Sequence, residues 1–316
     1  MRNTILYSVL ISLALFCCAS CTTDKLSSES VIKDSLVEMT PFDYWLESNL
    51  LRPYNIEFKY RFSMKESDTG YWTVPADYDS AIISAHLVKY LCVDTYDEVA
   101  GITFTRSWFP KMFFLIGEWE YRSNNSKTLG TAEAGKKIML AGINELPYWF
   151  DKYKDSPEEL REIINSEYIK VIHHEFTHIL NQTKGFSDSF KEVTAATYVA
   201  DACFDTDDYW NGRGYVTAYS QSEPNEDFAE LLSEYVTHDA AWWDALLAKA
   251  TKELPNVRAN DPSAVDGATL ITSKMDIVRN YMHDSWNIDI DELRDVIYRR
   301  TGDVVNGLVD INDITL

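Results

Sequence analysis

The stretch "EYIKVIHHEFTHILNQ", residues Glu167–Gln182, decides how this chain is read. It holds three of the chain's six histidines: His173, His174 and His178. On a helix, His174 and His178 are one turn apart, so both imidazoles leave the same face and can meet a single ion. Glu175 lies beside them and can reach a water at that ion. Ile172, Phe176, Ile179 and Leu180 cover the other side, which predicts a helix running through a core with one polar stripe facing a cleft. His173 points away from the pair and reads as a satisfied or surface histidine.

Two histidines leave a catalytic zinc short of a third protein ligand, with one further position open for chemistry. The remaining histidines are poor candidates. His86 falls in an early amphipathic helix, and neither His238 nor His283 has a partner pattern near it. Positions 181 and 184 are Asn and Lys, so no third histidine follows along the same helix. The third ligand is therefore expected to be a carboxylate on another helix, and "YSQSEPNEDFAE" (219–230) offers two. Glu226 and Glu230 share a helical face, and Phe228, Ala229, Leu231 and Leu232 around them indicate a packed helix. One carboxylate can bind the ion while the other holds a histidine ring through its second nitrogen. Asp227 points elsewhere on the helix and reads as a cap or surface group.

The surrounding chain divides into a strand-containing front and a helical back, an α+β architecture. "NIEFKYRF" alternates Ile56, Phe58 and Tyr60 against polar neighbours, as a half-buried strand does. "WFPKMFFLIGEW" and "GKKIMLAGIN" each hold another strand, with "NNSKTLGTAEAG" as the loop before the latter. "DSAIISAHLVKYLCV" has helical periodicity. At "DSPEELREII", Ser156 is a natural N-cap, Pro157 fits the first helical position and Glu159 completes a capping box. This helix is expected to run, with a break, into the histidine segment. "EPNEDFAELLSEYV" and "SKMDIVRNYMHDSW" give further helices, and "DIDELRDVIYRR" a last one stopped by Gly302. "DTDDYWNGRGYVTAY" is the segment best suited to shape a cleft, although its aromatic residues also suit packing. Asp205, Asp207 and Asp208 lack calcium-loop spacing.

The first twenty residues, "MRNTILYSVLISLALFCCAS", read as a signal peptide whose apolar run is too short to span a bilayer. A cysteine, Cys21, follows small residues at the expected cleavage point and resembles a bacterial lipobox, so lipidation there would anchor the chain without spanning. The expected organisation is residues 1–20 as signal peptide, 21–40 as a polar tether, and 41–316 as one folded domain with a strand-containing part (41–154) and a helical part (155–316). Loss of Arg2 with the signal takes the net charge from −21 to about −22. So acidic a surface argues against nucleic acid and anionic lipid as partners. Beyond Cys21 only Cys92 and Cys203 remain, which permits one disulfide but no disulfide-built scaffold.

"HEFTH", then "EDFAE" about fifty residues later with a tyrosine seven residues before its first Glu, resembles the glutamate zincins related to anthrax lethal factor and the Pro-Pro endopeptidases. The resemblance implies a zincin-like fold with Glu226 as zinc ligand, Glu230 supporting a histidine and Tyr219 assisting the oxyanion. A wider resemblance runs through the lipobox, "YNIEFKYRF", "PKMFFLIG", "LGTAEAGKKIML", "HHEFTHILNQ", "GYVTAY" and "EDFAE". These look like the substrate import-associated zinc metallohydrolase lipoproteins of Bacteroidetes, which implies an outer-membrane lipoprotein associated with TonB-dependent import. The expected reaction is hydrolysis of a peptide or protein substrate at one zinc held by His174, His178 and Glu226, with Glu175 as general base and Tyr219 as oxyanion donor. Rival readings are a surface binding protein of an uptake complex with a vestigial metal site, and a zinc amidase acting on glycans or cell-wall peptides. The intact Glu175 weighs against the first, because a structural metal site needs no base.

Overall fold

The computed structural model describes residues 38–63, 65–66, 73–121, 127–128, 130–133, 137–199, 209–252 and 265–315. Cys21, Cys203, the three aspartates at 205, 207 and 208, and the whole proposed signal and lipobox lie outside them. Thr40 opens the first helix, α1 (Pro41–Leu46), through a reciprocal capping box with Asp43, with Pro41 at the position where a missing N–H costs nothing. Strand β1 (Glu57–Lys59) follows and confirms the predicted alternation: Ile56, Phe58 and Tyr60 are buried while Glu57 is exposed.

Helix α2 (Tyr78–Leu87) is not amphipathic as its periodicity suggested. Every residue from Ser80 to Leu87 is buried, the pattern of a helix enclosed on all sides. His86 is satisfied there by the carbonyls of Ile82 and Asp313, at 2.9 and 3.0 Å.

The main sheet is built from β1, β2 (Met112–Leu115), β3 (Gly130–Glu133) and β4 (Lys137–Leu140) in the order β1-β2-β4-β3. The first three strands in that order are parallel, and β3 runs antiparallel to β4 at the end of the sheet. All four residues of β4 are buried, as a strand covered on both faces requires. The register aligns Phe58 with Phe113 and Phe113 with Ile138, forming one apolar row across the sheet. Part of the expected loop "NNSKTLGTAEAG" is β3 itself. Its short, small-residue sequence carries no alternation, and it is a strand because β4 supplies the hydrogen-bonding partner.

The helical half places the histidine segment. Helix α3 (Pro157–Ile164) passes through a π-helical turn (Asn165–Ile169) directly into α4 (Lys170–Thr183), so the expected break is a widened turn. Ser156 does occupy the N-cap of α3, but its side chain makes no capping hydrogen bond, and the capping box with Glu159 does not form. Asn165, within the π turn, donates from Nδ2 to the carbonyl of Thr237 (2.7 Å), which ties this turn to the end of α5 (Pro224–Thr237). Helices α6 (Ala240–Lys252), α7 (Gly267–Trp286) and α8 (Ile290–Val305) follow. Helix α8 continues through Gly302 for three more residues. Burial of Val304 and Val305 outweighs the modest cost of a glycine inside a helix.

Phe176 of α4 joins this half to the sheet. Its ring packs edge-on against Tyr96 and Phe109, at 4.9 and 5.1 Å, and Phe109 in turn meets Phe113 of β2 at 6.1 Å. Helix α4 also packs along α5, which brings the two motif-bearing helices side by side. Sequence and structure agree on the α+β class. Among the described residues, no helix is long and apolar enough to cross a membrane.

Candidate metal centre

Helix α4 presents His174 and His178 one turn apart, and α5 brings Glu226 up to both. Nε2 of His174 lies 3.0 Å from Oε2 of Glu226, Nε2 of His178 lies 3.3 Å from the same oxygen, and the two nitrogens are 3.1 Å apart. Two atoms held about 2.0–2.1 Å from a shared tetrahedral centre are about 3.3 Å from each other, so the three donors outline one face of such a centre. The chemistry of the set agrees with the geometry: two imidazole nitrogens and one carboxylate suit zinc. The three groups converge in a half-buried cleft, where side-chain exposures are 9% for His174, 17% for His178 and 19% for Glu226.

The electrostatics without a metal show what this convergence demands. Burial pushes the His174 imidazole towards neutrality, but Glu226 and Glu230 outweigh it and raise its pKa to about 10. Burial likewise raises the Glu226 carboxyl, while hydrogen bonds and charge from His174 and His178 hold it well below the usual carboxylate range. The site therefore favours positive charge at its centre, which a proton supplies in the metal-free state.

Glu230 occupies the opposite side of the His174 ring. Its Oε1 lies 2.9 Å from Nδ1 of His174, close enough for strong attraction although the angle misses a regular hydrogen bond. Its Oε2 accepts from Thr217 Oγ1 at 2.7 Å and from Lys170 Nζ at 3.1 Å. Glu175 is partly exposed beside the triad, near enough for its charge to act on both His174 and Tyr219. Tyr219 stands at the cleft, 39% exposed, with its ring centre 6.1 Å from that of His174. Burial of its hydroxyl and the nearby Glu226 raise its pKa far above the ordinary tyrosine value, so it remains a donor.

The loop leading to Tyr219 is fixed from within, by the Asn211 side-chain amide and a glycine turn. Asn211 donates to the carbonyls of Tyr215 and Val216 (2.9 and 3.2 Å), and Gly214 adopts φ +92°. A Cβ at Gly214 would come within 2.6 Å of Leu270, so both conformation and space require glycine. Within "DTDDYWNGRGYVTAY", Tyr215 is fully buried and serves packing, whereas Tyr209 is exposed.

His173 turns away from the cleft, as the helical spacing implied. It is buried against Tyr96, whose hydroxyl is 3.0 Å from Nδ1, and burial lowers its pKa to about 3. Asp227 is a correction: it is neither a cap nor a surface group. Its side chain is buried and accepts from Lys274 Nζ (2.6 Å) and Tyr198 hydroxyl (2.8 Å). Lys274 also donates to the carbonyl of Gly214 (2.9 Å) and sits 4.0 Å over the Tyr215 ring, so this pair braces the Tyr219 loop from behind. Lys170 and Thr217 escaped the sequence reading. A signal for Lys170 was present, since it lies one turn before His174 on the same helical face. Nothing local marks Thr217.

A family model described as "Putative zinc-binding metallo-peptidase" matches residues 36–291. Among solved structures, the chain is similar to the crystal structure of a putative zinc-binding metallo-peptidase from Bacteroides caccae. The two share 33% sequence identity with a TM-score of 0.69, over 90% of this chain and 100% of that one. A comparison with curated proteins gives no significant match.

Proposed function

The chain belongs to the family described as "Putative zinc-binding metallo-peptidase", and from that premise we propose that it hydrolyses peptide bonds, with His174, His178 and Glu226 holding one zinc ion. The observation that carries the proposal is the convergence of those three donors, 3.0 to 3.3 Å apart, in a cleft that also holds Glu175 and Tyr219. Zinc, when bound, supplies Lewis acidity to the attacking water and the scissile carbonyl. Glu175 takes the proton from the water and delivers it to the leaving amine. Tyr219 donates its hydroxyl to the carbonyl oxygen as that oxygen gains charge, a contact strongest in the transition state. Glu230 holds the His174 ring so that Nε2 faces the cleft. The end strand β3 lies against α4 and, among the described residues, is hydrogen-bonded within the main sheet to β4 alone, which suits binding of an extended peptide beside the site.

The test is cleavage of an unmodified peptide library by purified protein, set beside its zinc content by mass spectrometry. Expected are near-stoichiometric zinc, cleavage by the parent protein, and a loss of about 10²–10⁴-fold in Glu175→Gln with zinc retained. Zinc binding without cleavage of any unmodified peptide would remove the peptidase reading and favour an amidase or a binding protein. We also propose lipidation at Cys21 and residence at the outer membrane with a TonB-dependent import complex, on the lipobox and the wider sequence resemblance. Labelling with radioactive palmitate that survives Cys21→Ser would refute the anchor, and failure to co-purify with an outer-membrane receptor would refute the association.

A further inference from the structure

We propose that Lys170 is a positioning residue of this centre, acting on His174 through Glu230; the inference rests on the metal-site reading above. Lys170 opens α4, one turn before His174, and its side chain is only 18% exposed. Its Nζ lies 3.1 Å from Oε2 of Glu230 and 2.5 Å from Oε1 of Glu234, so one ammonium bridges two buried carboxylates one turn apart on α5. Glu230 then meets Nδ1 of His174 with its other oxygen, at 2.9 Å. Glu234 turns its second oxygen to Nδ1 of His238, at 3.2 Å. The His238 ring stacks on Trp242 at 3.9 Å, and its Nε2 is 3.7 Å from Glu162, which stands in solvent. A row of acidic and basic side chains, each 2.5 to 3.7 Å from the next, therefore runs from the triad to the solvent-exposed Glu162, with His238 Nδ1 also 3.0 Å from the backbone carbonyl of Glu234.

Lys170 is the pivot of this line because it is the residue whose removal changes what Glu230 can do. Two carboxylates spaced i and i+4 on one helix repel each other, and burial strengthens that repulsion by lowering the local dielectric. An ammonium is compact and carries three donors, so it can serve both acceptors at once. With Lys170 in place and Thr217 donating from the other side, Glu230 is held in one rotamer behind His174. A carboxylate so fixed sets the rotation of the imidazole, and hence the direction in which Nε2 faces Glu226 and His178. Without the ammonium, Glu230 is repelled by Glu234 and its hold on the ring loosens.

A purely structural role is the competing account, since Lys170 also ties α4 to α5. Zinc affinity separates the two, measured by competition with a chromophoric chelator at fixed pH on the parent protein, Lys170→Met, Glu230→Gln and the double variant. Melting of each metal-free protein is followed in parallel. Expected is a 10–100-fold loss of zinc affinity in each single variant. The double variant should be weaker than the worse single by no more than about threefold, because both act on one ring. Lys170→Arg, which keeps the charge, should retain affinity within about threefold of the parent. Cobalt loaded in place of zinc should show altered visible bands in Lys170→Met, reporting a changed ligand field.

Unaltered zinc affinity in Lys170→Met, with only a lower metal-free melting temperature, would overturn the proposal in favour of a helix tie. Additive losses in the double variant would overturn it by showing that Lys170 does not act through Glu230. Should Lys170→Met fail to fold, Lys170→Gln keeps a donor for the carboxylates, drops the charge and is judged by the same two outcomes. Failure of the metal-site reading looks different: the parent protein itself would bind no zinc, and both inferences would fall together.

Discussion

Glu226 and Asp227 are neighbours in sequence and carry the same functional group, yet α5 sends them to opposite environments. Successive helical residues point about 100° apart. Glu226 therefore meets two imidazoles in a half-open cleft, while Asp227 meets Lys274 in the core, where both side chains are 1% exposed. His173 and His174 repeat the division on α4, one facing Tyr96 and the other facing Glu226. The buried pair is a closed account of charge, since the Asp227 carboxylate and its neighbours supply each other with partners. The triad is open, because two nitrogen lone pairs and a carboxylate converge on a point that only a proton or a cation can satisfy. The first arrangement is complete within the protein, and the second is open to an ion from outside.

The sharpest way to break that contrast is Asp227→Ala. It leaves the Lys274 ammonium buried without its carboxylate, and loss of one partner from a buried ion pair costs about 3–5 kcal/mol. Denaturant unfolding of the metal-free protein should show that loss. Replacing both members by apolar residues, as in Asp227→Leu with Lys274→Met, should recover much of it. A loss in Asp227→Ala below about 1 kcal/mol would mean that the pair is solvated and that the two carboxylates differ less than their burial implies.

Glu226→Ala should give the complementary result. The metal-free protein should melt somewhat below the parent, since Glu226 no longer holds the His174 proton, so the zinc-dependent rise rather than the metal-free midpoint is the readout. What should disappear is stabilisation by zinc, which for a ligand at a hundred times its dissociation constant amounts to about 2.7 kcal/mol. Melting scans with and without added zinc measure it directly. A zinc-dependent rise that persists in Glu226→Ala would remove this residue from the ligand set.

These same contrasts mark what the sequence made legible. The pairs His174 with His178 and Glu226 with Glu230 are local, so the helical period alone places them on shared faces. That period also turns His173 away. Tyr219 has no such periodic signature, and the role proposed for it comes only with the resemblance to glutamate zincins. Asp227 was misread because its partner, Lys274, is 47 residues away, and Lys170 meets Glu230 across 60 residues. No feature of one chain says which face of one helix will meet which face of another. The edge strand β3 was hidden for a related reason, since its conformation is supplied by β4 rather than by its own pattern. Gly302 misled in the opposite direction: it carries a local stop signal, but the burial of Val304 and Val305 beyond it keeps α8 going.

The adjacent histidines give the finest test of the division between core and cleft. In the metal-free protein His174 is raised to about 10 and His173 lowered to about 3, from an ordinary value of 6.5. The signs of their contributions are opposite. A raised pKa means that the folded state holds its proton more tightly, so the His174 contribution is full below pH 6.5 and fades as pH rises towards 10. A lowered pKa means that the unfolded state takes up a proton first, so His173 costs stability progressively as pH falls from 6.5 towards 3. Imidazole nitrogen NMR on zinc-free protein should find one ring still protonated at pH 8 and another still neutral at pH 5. Tyr96→Phe should cost about 0.5–1.5 kcal/mol by removing the hydroxyl that meets His173, and should leave zinc affinity unchanged. If that variant instead weakens zinc binding, the core histidine is coupled to its neighbour, and the two sides of α4 do not act independently.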